Sequence, residues 1–188
     1  MLTDEQGQML VQLARQTIKQ ELEGADGAVD ESDVFADEAF QEHCGVFVTL
    51  HKREALRGCI GSVAAVEPIV DGVRRHAKNA AFHDPRFTPV SQDELAELDI
   101  EVSVLSQPVK LDYTDGSTLP ALLKPGRDGV ILKAASGAGA TFLPQVWKQL
   151  PDPHSFLNHL CIKAGLQPTA WLTDPLEIQI YQVQHFEE

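Results

Sequence analysis

The chain has only three cysteines, Cys44, Cys59 and Cys161, with no C-x-x-C pair among them and one left over in any pairing. It therefore has neither the frame of a disulfide-stapled protein nor the spacing of a zinc site, and a reducing, cytoplasmic setting is the expectation. No stretch approaches the roughly 18 apolar residues of a membrane span. The N-terminus is acidic and amphipathic, unlike the basic segment and apolar run of an export signal. Neither insertion nor export is expected. Basic residues are scarce, fifteen against twenty-eight acids for a net charge of −13. Non-specific nucleic-acid binding needs a broad basic surface to release counterions, so no nucleic-acid or membrane partner is expected.

Common chemical signatures are missing as well. There is no P-loop, G-x-G-x-x-G, H-E-x-x-H or G-x-S-x-G, which removes support for Walker-loop hydrolysis, Rossmann cofactor binding, zincin chemistry and the hydrolase elbow. Dispersed cysteines cannot ligate an iron–sulfur cluster. His154 and His159 are five apart and rotate away from each other on a helix, and the neighbours His43 and Cys44 point apart in extended chain. No metal site is expected and no cofactor is identified.

What the chain does have is an uneven distribution of charge. Residues 1–43 hold eleven acids and two bases, residues 51–86 seven bases and four acids, and the rest thirteen acids and six bases. The basic island contains Leu56-Arg57-Gly58-Cys59-Ile60-Gly61, an apolar, strand-like run in which two glycines bracket a thiol. Alternation in an extended chain places Leu56 and Ile60 on one face and Arg57, Cys59 and the empty position of Gly61 on the other. Glycine inside a strand marks a bulge, a bend or the close approach of a ligand or backbone. The same spacing also fits a packing thiol whose glycines relieve crowding. The guanidinium two residues away favours a site, because it would lower a neighbouring thiol's pKa.

Taken in order, Thr3-x-x-Gln6 is a capping box for an amphipathic helix over 4–22. Gly24 to Asp33 reads as a loop, with a short helical turn near Val34 to Phe40. Gly45–Leu50 and Ala55–Val63 form an antiparallel hairpin around the polar turn His51–Glu54. Pro68 opens a helix whose stripe of Ile69, Val73, Ala77 and Ala80 runs to about Phe82, leaving Arg74, Arg75 and Lys78 on a solvated face. Asp84-Pro85-Arg86-Phe87 is a turn, and Ser91-x-x-Glu94 caps a short helix through Leu98. Ile100 to Leu105 is a strand of the hairpin's sheet, and Glu101 and Ser103 on its polar face could meet Arg57. A short helix over 117–123, a hairpin around Ala135 to Gly139, a helix from Asp152 to Gly165 and a strand from Leu176 to Val183 complete the chain. No internal repeat or low-complexity run occurs. The fold class is α+β: an antiparallel or mixed β-sheet flanked by helices, with room for a smaller second lobe.

The Leu56–Gly61 run resembles the signature of the family named for the Alport syndrome, mental retardation, midface hypoplasia and elliptocytosis chromosomal region. Its prokaryotic members are called AmmeMemoRadiSam system protein A. The likeness continues through Asp84–Phe87, Ile100–Ser106, Gly129-Val130, Leu143–Val146 and Lys163–Leu166, in the same order over most of the chain. The resemblance implies one such domain over residues 1–188 and an α+β fold. It also implies partnership with the radical SAM and Memo-like proteins for which the system is named, but no settled biochemical activity.

Two functional readings follow. In one, the chain is a ligand-binding or adaptor domain in which Arg57 and Arg86 grip a small carboxylate or phosphate, with Gly58, Gly61 and Ser103 lining the site. In the other it is a cysteine-dependent enzyme with Cys59 as nucleophile and Glu101 as the candidate base, the glycines admitting substrate to the backbone. Neither His76 nor His83 falls in a motif that would make it the base. Cys59 is expected to be the most reactive of the three thiols, with a depressed pKa.

Overall fold

The computed structural model describes residues 1–24 and 34–188; most of the loop expected at 24–33 lies outside them. The chain divides into two compact units, Met1–Ser106 with Gln184–Glu188, and Gln107–Val183.

The first unit begins with α1 (Asp4–Glu23), whose ends were legible: the Thr3/Gln6 capping box forms, and Gly24 closes the helix in the left-handed conformation. After the short α2 (Glu38–Gln41) come β1 (Val46–Lys52) and β2 (Ala55–Ser62), an antiparallel pair. β1 runs two residues further than expected, to Lys52, leaving a two-residue turn. Arg53 and Glu54 both take positive φ, 51° and 65°, the hand that suits a tight hairpin. Next are α3 (Ile69–Phe82), a 3-10 turn over Gln92–Glu97 and β3 (Leu98–Leu105). The last strand, β8 (Val183–Glu187), completes a sheet of order β2-β1-β3-β8.

Period-two alternation sorts this sheet. Val46, Val48, Leu50, Ile100, Val102 and Val104 are buried in one cluster with Leu10, Leu13 and Ile18 of α1 and Val73, Ala77 and Ala80 of α3. Phe47, Thr49, Glu101 and Ser103 alternate with them on the opposite, outer face. Two glycines let elements approach closely. A Cβ on Gly7 would fall 2.0 Å from the Phe186 ring, and one on Gly58 would fall 2.2 Å from the Ala80 carbonyl oxygen of α3. Arg74, Arg75 and Lys78 lie off the buried stripe of α3 and pair with Asp71, Glu67 and Glu21.

The second unit holds β4 (Val109–Lys110), α4 (Leu119–Leu122), β5 (Gly129–Ala134), β6 (Gly139–Phe142), α5 (Pro153–Lys163), α6 (Ala170–Thr173) and β7 (Leu176–Tyr181). Its sheet has the order β4-β7-β5-β6, built from antiparallel pairs. Val130, Leu132 and Ile178 are buried with Phe156, Leu157 and Leu160 of α5 and both tryptophans. Trp147 stacks on Phe156 with centroids 3.7 Å apart. The α+β class therefore holds, realised as two four-stranded sheets.

Candidate functional site

The register of β1 on β2 shifts between Leu50, opposite Gly58, and His51, opposite Leu56. Arg57 is the extra residue of a β-bulge, and a bulge re-aims its side chain. The Arg57 guanidinium meets Glu94 in a two-pronged pair, Nε to Oε1 at 3.2 Å and Nη2 to Oε2 at 3.0 Å. Lys52, in register with the core-facing row, reaches the same carboxylate at 3.2 Å. Cys59 lies opposite Thr49 on the outer face, with Thr49 Oγ1 3.3 Å from its Sγ. The expected sharing of one face by Arg57 and Cys59 is thus overturned, because strict alternation does not survive a bulge. Glu101 and Ser103 do not meet Arg57 either: β1 intervenes between β2 and β3, and Arg57 has turned to the other side.

The free edge of β2 is held by the 84–87 turn. The backbone N–H of Cys59 donates to Asp84 Oδ2 at 2.9 Å, and Arg86 Nη2 donates to the Cys59 carbonyl at 3.1 Å and to Asp84 Oδ2 at 2.7 Å. A carboxylate and a guanidinium here take the places of a neighbouring strand's acceptor and donor. Asp84 also accepts the Arg86 N–H, the local capping its position suggests. Two runs quoted for the family resemblance are therefore physically joined at Cys59.

The electrostatics follow the contacts. Arg86, with help from the Cys59 N–H, holds the buried Asp84 carboxyl well below the usual range. Arg57 first, then the Ser91 backbone, lowers Glu94 to about 2. Burial pushes the Cys44 and Cys161 thiols up, whereas Cys59 is only half-buried. The Phe87 ring lies over both guanidiniums, its centroid 6.0 Å from Arg57 Cζ and 5.4 Å from Arg86 Cζ. Arg57 is 12% exposed and Arg86 52%. Among the described residues, two buried side-chain polar atoms find no partner, Arg57 Nη1 and His76 Nδ1. The His76 imidazole is disfavoured as a cation by burial.

The two glycines are filled from within the protein. Gly58 accommodates the Ala80 carbonyl, and Gly61 lies under the Phe47 ring, 2.2 Å from where its Cβ would stand. Glu101 and Ser103 find a residue that sequence reasoning missed, His185 of β8, at 3.0 Å from each. The strand expected from sequence, Leu176 to Val183, ends before His185, and the separate β8 that carries it was not expected. A separate cleft of about 550 Å³ in the second unit is lined by Lys110, Asp112, Tyr113, Asp115 and Asp174 among others, none of them singled out in the sequence. Among the described residues no group of three His, Cys, Asp or Glu side chains could hold a metal ion, and no helix is long and apolar enough to cross a membrane.

A family model, AMMECR1, matches residues 11–186, a span that includes most of both units. A protein of Methanothermobacter thermautotrophicus is 37% identical over 188 residues, covering this whole chain and 96% of the relative. SSO0193 of Saccharolobus solfataricus is 38% identical, with all of this chain and 83% of the relative covered. Among solved structures, the uncharacterised protein PH0010 of Pyrococcus horikoshii superposes with a TM-score of 0.82 at 35% identity, covering 100% of this chain and 93% of that one.

Proposed function

The chain belongs to the AMMECR1 family, and on that premise we propose that it is a small-anion-binding or adaptor domain whose ligand seats against Arg57 and Arg86. One observation carries this reading: Arg57 Nη1 is buried without an acceptor among the described residues, in a network where the other guanidinium contacts are satisfied. A buried donor without a partner costs about 1–3 kcal/mol. A carboxylate or phosphate oxygen would remove that cost. Arg86, half exposed, supplies the second donor, and Phe87, which covers both groups, must rotate aside. Asp84 and Glu94 orient the two arginines and lower the net charge the ligand meets, which favours a small anion over a polyanion.

A calorimetric screen of inorganic phosphate, nucleotides and small carboxylates tests this. One class should bind, with only modest weakening by salt, and Arg57→Ala should abolish the binding. No binding to any of them, or binding unchanged in the variant, would overturn the reading. As an adaptor, the domain would work in the cytoplasm with the radical SAM and Memo-like proteins implied by the family resemblance. Co-purification with those two proteins, lost when they are expressed separately, is the corresponding test.

A second reading rests on Cys59, the thiol that is not fully buried and that has the Thr49 hydroxyl 3.3 Å away. It makes the domain a cysteine-dependent enzyme. Turnover of a thiol-reactive substrate that disappears in Cys59→Ala would favour it over the binding domain.

A further inference from the structure

On the outer face of the first unit's sheet, Ser103 Oγ donates to Glu101 Oε1 at 2.9 Å, and His185 Nδ1 lies 3.0 Å from both atoms. The donor inventory decides the tautomer of this ring. His185 first, then the Ser103 hydroxyl, holds the Glu101 carboxyl below its usual range, so it is ionised at neutral pH and can only accept. The Ser103 hydroxyl hydrogen is engaged by Glu101, so toward Nδ1 its oxygen also accepts. Nδ1 must carry the proton. The lone pair of the neutral ring then stands on Nε2, which has no hydrogen-bond partner among the described residues. Ser103 is 4% exposed while the His185 side chain is 43% exposed, so the anchoring is enclosed and the ring is reachable.

We propose that Glu101 and His185 form a hydrogen-bond-accepting pair, a second site in which Glu101 fixes the tautomer and Nε2 accepts a hydrogen bond from the N–H of a cationic ligand. The surroundings set the sign of the ligand. Glu101, but not His185, also lines a cleft of about 400 Å³ with His51, Glu54, Asp99, Glu187 and Glu188; Glu188 is paired with Arg15, and the remaining carboxylates disfavour an anion beside the pair. The preference is opposite to that proposed for Arg57 on β2 and Arg86 in the 84–87 turn, so either site can fail without the other.

The test uses the full chain labelled with ¹⁵N. Long-range ¹H–¹⁵N spectra at alkaline pH should find the His185 proton on Nδ1. Titration with n-butylammonium chloride should shift Nε2 saturably while sodium phosphate leaves it unmoved, and Glu101→Gln should weaken the response about tenfold, the loss of one charge-assisted contact. A proton on Nε2, no shift with the amine, an equal shift with phosphate, or an unchanged response in Glu101→Gln would each overturn the proposal. The wild-type tautomer is read without any variant, so a loosened β8 in Glu101→Gln cannot mask the answer.

Discussion

Arg57, Gly58 and Cys59 are consecutive and have three different jobs. Arg57 is the bulged residue turned to Glu94, Gly58 is the gap into which the Ala80 carbonyl fits, and Cys59 is the position at which the 84–87 turn grips the strand edge. Gly58→Ala must push α3 away from β2, because the obstacle is backbone and cannot rotate aside. Overpacking of this kind costs about 1–3 kcal/mol, and a urea melt should report about 2 kcal/mol lost; an unchanged midpoint would refute the close packing described. The thiols should also separate. Cys44 and Cys161 are buried, and burial pushes both up, so both the thiolate fraction and access are reduced. Mass-spectrometric mapping of iodoacetamide labelling in the native state should find Cys59 modified first. Labelling of Cys59 only after denaturation would make it a packing residue and remove the enzymatic reading.

At the level of elements, the 3-10 turn carrying Glu94 is fastened to the hairpin by Arg57 and Lys52. Glu94 is lowered to about 2, so the stability it contributes is complete above the unfolded carboxylate pKa near 4.3 and is lost as pH falls toward about 2. Glu94→Gln should therefore destabilise the protein by about 2 kcal/mol at pH 7, with the difference shrinking across that window. A difference independent of pH between 7 and 2 would show that the ion pair contributes nothing. The elements themselves were largely legible: the capping boxes of Thr3 and Ser91, the alternation in β1 and β3, and the Asp152-Pro153 start of α5 all form. The bulge was not. One extra residue leaves the composition of a strand unchanged while reversing which way Arg57 faces, and period-two reasoning has no term for it. Nor was β8 legible: the expected strand stopped at Val183, and a short run at the end of the chain carries no local sign that it pairs in the other sheet.

Across the whole molecule, the chain forms two compact units, and the AMMECR1 match runs across residues of both. Charge is allocated locally within the first unit. Arg57 and Arg86 are nearly balanced by Glu94 and Asp84, leaving one buried donor unanswered, while the Glu101–His185 face is acidic. The most direct test is a crystal structure at a saturating concentration of whichever anion binds in the calorimetric screen. The account predicts an anion oxygen within about 3.2 Å of Arg57 Nη1, contact with Arg86, and Phe87 rotated off the pair. An anion bound elsewhere, with Nη1 still unpartnered beneath Phe87, would contradict it.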